Sequence, residues 1–135
     1  MAEKLTEITA PAWMIDLFKA IDALDFDPGR GFGIFADDVT MQFGPKTVHG
    51  IEDVKKFFTT LDAPLITKHL VDRVFRFGDA YLMQGSAVLH KKDDPKGQGL
   101  TAAPLFNILW LNEAGKLFHY VVDFDPRAAA KSRLF

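Results

Sequence analysis

The chain has 135 residues, with 16 Lys and Arg against 18 Asp and Glu, so its formal net charge is −2. This is the length of one domain, and we interpret residues 1–135 as a single domain. The small net charge excludes a nucleic-acid binder that relies on bulk positive charge. The absence of cysteine excludes disulfides, thiolate catalysis and cysteine-ligated metal sites.

The first half of the chain predicts three helices, which alternate with short strands. Thr9 is expected to cap the first helix. Trp13, Leu17, Ile21 and Leu24 then recur at the spacing of one helical face.

Asp27-Pro28 predicts the start of a second, shorter helix. This helix would carry Phe32, Phe35 and Ala36 on its apolar side and end at Asp37-Asp38.

Two short strands, Val39–Phe43 and Thr47–His49, are predicted next. Gly50 opens the third helix, in which Glu52 and Lys56 have the i,i+4 spacing of a surface ion pair.

In the second half of the chain, the apolar residues recur with the period of β-strands. A polar loop, Asp93–Gly99, separates two of the segments. The four predicted strands are Lys68–Phe77, Tyr81–Lys91, Leu100–Leu111 and Leu117–Phe124. Helices followed by an antiparallel meander indicate the α+β class, with three N-terminal helices packed on one face of a curved, mostly antiparallel sheet.

The segment Leu105–Leu111 is apolar on both faces, with Asn107 as its one polar residue. A sheet with one solvated face should alternate between apolar and polar residues. We therefore expect the outer face of the sheet to be covered as well, and we predict a homodimer that forms through this face.

Three stretches resemble the SnoaL-like group of the nuclear transport factor 2-like (NTF2-like) superfamily. Residues 35–41 are similar to that family's helix-to-first-strand junction, and residues 48–58 to the entry of its third helix. Asp123, near the end of the last strand, is the third. With the strand pattern, the resemblance covers roughly residues 10–125.

The resemblance implies a cone-shaped α+β barrel with a deep apolar pocket, and frequent dimerisation. Its members include polyketide cyclases, steroid isomerases, dehydratases, epoxide hydrolases and proteins without catalysis. The steroid isomerases carry a basic Asp before a proline at the end of the first strand, where this chain has Phe43. The epoxide hydrolases need an Asp-Arg-Asp set, of which Asp72-Arg73 supplies at most a part, because adjacent strand residues face opposite sides.

Asp123 is the first candidate for catalysis, because a carboxyl at the end of an apolar strand has a raised pKa if it is buried. The resemblance also implies an acid/base Asp from this region. His69 is the second candidate, as the partner of Asp123 or as a hydrogen-bond donor to a substrate carbonyl. The alternatives are that Asp123 pairs with Arg127 and that His69 is a core or rim histidine.

Among the other histidines, His49 is expected at the mouth of the pocket and His119 at the surface. Tyr120 faces the opposite side of its strand from Asp123, so one of them at most faces the pocket. The predicted substrate-binding residues are Trp13, Phe18, Phe35, His49, Phe57, Tyr81 and Asn107.

Two functions stay open. The one we favour is a cofactor-independent acid/base enzyme, a cyclase, isomerase or dehydratase, acting on a small hydrophobic carbonyl compound such as a polyketide-type intermediate. The alternative is a non-catalytic module for a hydrophobic ligand or for protein assembly. No pair of His has metal-ligand spacing, so we expect no metal and no cofactor. Without a signal peptide or an apolar run of about 20 residues, we expect a cytoplasmic protein with no membrane or nucleic-acid partner.

Overall fold

One mixed sheet of seven strands forms the frame of the protein in a computed structural model that describes residues 4–94 and 101–124. Its order is β1-β4-β5-β6-β7-β2-β3, and every neighbouring pair is antiparallel except the parallel pair of β2 and β7. The strands are β1 (Thr6–Ile8), β2 (Phe35–Phe43), β3 (Lys46–His49), β4 (Leu65–Phe77), β5 (Ala80–Lys91), β6 (Thr101–Leu111) and β7 (Leu117–Phe124).

Two α-helices accompany this sheet, α1 (Ala12–Ala23) and α2 (Ile51–Asp62). The predicted α+β class and the mostly antiparallel sheet are therefore confirmed. The sheet is open, with β1 and β3 at its edges, so among the described residues it does not close into the barrel that the resemblance implied. The predicted polar loop Asp93–Gly99 lies largely outside the described residues.

Helix α1 forms because its apolar residues share one face. Met14, Leu17, Phe18 and Ile21 on that face are all buried. The helix ends at Leu24, whose left-handed backbone (φ 51°) lets its N–H return to the carbonyl groups of the last turn. The prediction that Thr9 caps α1 is wrong: the helix starts after an extended Pro11, with no side-chain cap.

The predicted second helix is wrong. Gly31–Ile34 forms only a 3-10 turn, and β2 already begins at Phe35. The Asp27-Pro28 signal is that of a turn, since the Asp27 carboxylate accepts the Gly29 N–H at 2.8 Å. Glycine-rich sequence also disfavours a helix here.

Helix α2 begins one residue after Gly50, whose φ of 88° favours glycine. Its Glu52 pairs with Lys55 at 3.3 Å, so the predicted pairing with Lys56 is wrong. Neither α-helix is long and apolar enough to cross a membrane, as far as the described residues show.

The core lies between the two helices and one face of the sheet, which we call the inner face. Alternation along β5, β6 and β7 puts a row of buried side chains there. These are Tyr81, Met83, Leu105, Asn107, Leu109, Tyr120 and Val122. The opposite, outer face carries Phe106 and Asp123, both exposed.

At Gly31 the 3-10 turn lies in close contact with α1. A methyl group on Gly31 would collide with the main-chain oxygen of Asp16. We predict that Gly31→Ala lowers the free energy of unfolding by about 3 kcal/mol, through overpacking against a backbone that has nowhere to move. Urea denaturation measures the change. The control is Gly29→Ala, whose methyl group would meet only the flexible Asp27 carboxylate at 3.2 Å. Equal stability of the two variants would contradict the prediction.

Candidate active site

The site is built around the side chain of Asp22, in the last turn of α1. Its carboxylate accepts three hydrogen bonds from β4: from the His69 main-chain N–H at 2.9 Å, from the Thr67 hydroxyl at 3.0 Å and from the His69 ring Nδ1 at 2.6 Å. The side chains of His69 and Asp22 are only 15% and 18% exposed. Helix α1 and strand β4 are therefore joined by one largely buried carboxylate.

This contact fixes the tautomer of His69. An ionised carboxylate can only accept hydrogen bonds, so Nδ1 carries the hydrogen. When the ring is neutral, Nε2 therefore holds a lone pair, and it has no hydrogen-bond partner among the described residues. Such a ring can take up a proton at Nε2 and return it.

Phe18 packs against the face of the imidazole ring. Its ring stacks on that of His69 with centroids 5.0 Å apart and planes 12° apart. Phe18 precedes Asp22 by four residues, so both side chains project from the same side of α1. The helix thus fixes both the plane and the tautomer of the ring.

Asp62, the last residue of α2, is a second carboxyl in this region and is only 8% exposed. Burial raises its pKa to about 6, the Asp22 charge acts in the same direction, and His69 opposes them. The C-terminal end of a helix also disfavours a negative charge. Its carboxyl group has no hydrogen-bond partner among the described residues, so it is free to donate its proton elsewhere.

Tyr120, on β7, is 1% exposed and faces the same interior. Burial, followed by the charges of Asp22 and Asp62, raises the pKa of its hydroxyl above the ordinary value. The phenol therefore stays neutral and keeps a proton that it can donate. Its ring packs on Phe35 at 6.1 Å.

The expectation that Asp123 is buried beside His69 is wrong. Asp123 is exposed on the outer face, because Tyr120 and Val122 take the inward positions of β7. His69 has Asp22 as its partner instead. Arg127, the alternative partner of Asp123, lies outside the described residues.

The predicted substrate-binding residues divide into three groups. Phe18, Phe35, Tyr81 and Asn107 are buried, and Trp13 and Phe57 are half-buried. Trp13 packs edge-on against Tyr81 at 5.2 Å. His49 is exposed, with its Nδ1 2.9 Å from the Thr40 hydroxyl, and its position at a pocket mouth stays a prediction.

His119 is half-buried and packs edge-on against Trp110 at 4.9 Å. Asp22, Asp62 and Tyr120 are the residues that the sequence interpretation missed or left aside. For Asp22 the signal was its spacing of four from Phe18, next to Ile21 on the apolar face of α1. Among the described residues, no three His, Asp or Glu side chains are grouped as metal ligands.

Solved structures show what this architecture is similar to. A protein with a ketosteroid isomerase-like fold from Catenulispora acidiphila DSM 44928 is 19% identical and has a TM-score of 0.74, over 94% of this chain and 96% of that chain. A protein assigned as a SnoaL-like polyketide cyclase, from Jannaschia sp. CCS1, is also 19% identical, with a TM-score of 0.74 over 89% and 88%. An epoxide hydrolase of the LEH-like kind from M. tuberculosis is 15% identical, with a TM-score of 0.71 over 89% and 85%.

The chain has the NTF2-like fold. The resemblance to the SnoaL-like group is thereby confirmed at the level of the fold. No protein-family model matches the chain, and no curated protein matches it either. At these identities the NTF2-like fold leaves the reaction open.

Two comparisons within the NTF2-like fold bear on chemistry. Phe43, where the resemblance implied the isomerase base would be, packs on Phe57 at 5.0 Å, and its side chain is neither an acid nor a base. Asp72 and Arg73 are both exposed, and Arg73 pairs with Glu7 of β1 at 2.6 Å. Neither of these positions therefore supplies a buried acid or base.

The raised pKa of Asp62 gives the protein a pH-dependent stability. Folded Asp62 keeps a proton that the unfolded chain releases between about pH 4 and 6, so the free energy of unfolding falls as the pH rises through that window. We predict that Asp62→Asn stabilises the protein at pH 7 by up to about 3 kcal/mol and leaves it unchanged below pH 4.

Thermal and urea unfolding of both proteins at pH 3.5 to 7.5 measure this difference. Asp53→Asn, an exposed change in the first turn of the same helix, is the control and is expected to show no such gain. A loss of stability in Asp62→Asn at pH 7 would show that the carboxylate is well solvated in the folded protein.

Proposed function

We propose that this chain is a cofactor-independent acid/base enzyme that acts on a small hydrophobic carbonyl compound, such as a polyketide-type intermediate. The observation that carries the proposal is the His69 ring, bound to Asp22 through Nδ1 and unpartnered at Nε2 among the described residues. Structural neighbours that include a cyclase, an epoxide hydrolase and an isomerase-like protein agree with this class of function.

In the proposed reaction, His69 Nε2 removes a proton from the carbon next to the substrate carbonyl. The electron pair of that C–H bond forms the C=C bond of an enolate, and negative charge moves to the oxygen. Asp22 is a positioning residue, which stabilises the imidazolium that results. The imidazolium then returns the proton to another carbon or to a leaving oxygen, so that cyclisation, isomerisation and dehydration share this step.

Two neutral donors are available for the enolate oxygen. Tyr120 keeps its hydroxyl proton, and Asp62 keeps its carboxyl proton up to about pH 6. Donors in an apolar site stabilise a developing oxyanion more strongly than water does, because they are oriented in advance. In this proposal they take the role that a bound cation has in other enzymes.

The apolar surroundings suit a hydrophobic substrate. Phe18, Phe35 and Tyr81 are buried around the inner face, and Trp13 and Phe57 stand at its margin. Their rings exclude water from a carbanion that water would reprotonate without control.

The proposal predicts exchange of the methyl protons of 2-acetonaphthone, an enolisable aryl ketone, with D₂O. We expect His69→Gln to lower the enzyme-dependent exchange rate by at least about 100-fold, because the base is lost. Asp22→Asn should lower it less, by about tenfold, because the ring stays but its tautomer and orientation are no longer fixed. Proton NMR follows the loss of the methyl signal.

Asp123→Asn is the matched control, a carboxyl-to-amide change on the outer face, and should retain the wild-type rate. If the wild type binds the ketone without accelerating exchange, the binding module is the better function. If Asp123→Asn is the variant that loses exchange, the site lies on the other side of the sheet.

We also propose that two copies associate through the outer face. Phe106 there is 39% exposed, and a shallow cleft of about 380 Å³ runs beside it, with Ile108 and Val121 in its wall. Gln42 and Asp123 supply polar groups at its margin. An apolar centre with a polar margin is typical of a protein interface.

For this interface we predict that Phe106→Glu weakens self-association by at least about 100-fold, since it buries an unpaired charge against the second copy. Sedimentation equilibrium over a range of concentrations measures the dissociation constant. Phe77→Glu is the control: Phe77 is 46% exposed and lies at the end of β4. A wild type that is monomeric at 100 µM, or a Phe106→Glu protein that associates like the control, would refute the proposed face.

A further inference from the structure

Asn107 is the one polar side chain in the middle of an apolar row on the inner face. It is 0% exposed, and its neighbours across the two adjoining strands are Met83 on β5 and Val122 on β7. Met83 is also 0% exposed, and Val122 is 3% exposed. The amide therefore lies in surroundings that offer it almost no polar contacts.

The hydrogen bonding of this amide is incomplete. Its Nδ2 lies 3.9 Å from the Met83 sulfur, and its Oδ1 has no hydrogen-bond partner among the residues that the structure describes. A thioether sulfur accepts only weakly and donates nothing, so the NH₂ group must be the one that faces it. Buried acceptors without partners are few in native proteins and destabilise the fold.

We infer that Asn107 determines substrate specificity: its Oδ1 accepts a hydrogen bond from a hydroxyl or N–H group of the substrate. The inference rests on the proposed function, since it places that substrate against the inner face. A ligand that lacks the donor would leave the acceptor unsatisfied and would bind less well.

Met83 is suited to cover the amide in the absence of a ligand. Its unbranched side chain has several rotatable bonds and fills irregular spaces at little cost. Gly85, two residues further along the same face, leaves room for it: a methyl group on Gly85 would lie 3.1 Å from the Met83 sulfur. In this proposal, Met83 rotates so that a ligand reaches Oδ1.

The strand register sets the distance between this contact and the base. His69 lies opposite Ala87, and Asn107 lies opposite Met83 on the same strand, four residues away. That spacing is about 13 Å along β5 before the side chains reach inwards. The donor group therefore belongs at the end of the substrate remote from the reacting carbon, on an elongated molecule such as a fused-ring ketone.

The test uses two probes that differ only in the donor, 6-hydroxy-2-acetonaphthone and 2-acetonaphthone. We expect the wild type to bind the hydroxylated probe about tenfold more tightly, and Asn107→Leu to lose that preference while still binding 2-acetonaphthone. Asn112→Leu is the matched control, because the Asn112 carboxamide oxygen already accepts two main-chain N–H groups at 2.9 Å in a surface turn. That variant should keep the wild-type preference.

A second measurement needs no ligand. Asn107→Leu should raise the melting temperature, because it removes an unsatisfied acceptor, whereas Asn112→Leu should lower it. In the wild type, the side-chain NH₂ signals of Asn107 should shift in ¹⁵N NMR spectra with the hydroxylated probe more than with 2-acetonaphthone.

The outcomes separate the two proposals. If both probes bind and Asn107→Leu keeps the preference, the role of Asn107 is refuted and the proposed function stands. The same holds if the melting temperature of Asn107→Leu falls. If neither probe binds the wild type, both the role of Asn107 and the proposed function are refuted.

Discussion

The structure depends on one carboxylate placed between a helix and a sheet. Asp22 accepts three hydrogen bonds from two residues of β4, one of them from main chain, so it sets the position of α1 on the inner face. The same contact orients the His69 ring. Fold and chemistry are thus joined at one side chain: a change that moved α1 along the sheet would also turn the imidazole.

The placement of Asp22 brings its negative charge close to two other ionisable groups, Asp62 and Tyr120. Burial is the main cause that raises the pKa of both Asp62 and Tyr120, and the negative charge of Asp22 acts in the same direction. His69 is the group that offsets this repulsion at Asp62. Burial and this one negative charge therefore act together on the two neighbouring groups.

Much of this architecture was predictable from local pattern. The sequence shows the period-two alternation of β5 and β7 and the apolar faces of α1 and α2. Each of these elements buries its apolar face, so its local pattern agrees with its place in the fold. The segment that the sequence predicted as a second helix forms a 3-10 turn instead, because Gly31 packs closely against the backbone of α1, and no local pattern reports such a contact.

The site was predictable only in part. His69 was a candidate from the sequence. Alternation on β7 left two choices, and the burial of Tyr120 rather than Asp123 depends on which face the helices cover. Asp22 was missed since a charge at the border of an apolar helical face has the same pattern whether it is solvated or bonded to a distant strand. Its partners are 45 and 47 residues away in the chain.

The parallel pairing of β2 with β7 has a consequence for how the protein is made. Strand β2 ends at residue 43, yet the neighbour that joins it to the rest of the sheet begins at residue 117. During synthesis the β2–β3 hairpin therefore has only the helix that follows it, α2, to pack against until β7 has been made. Such late, long-range closure slows folding, and in the meantime Val39 and Met41, both wholly buried in the finished protein, have no partner sheet.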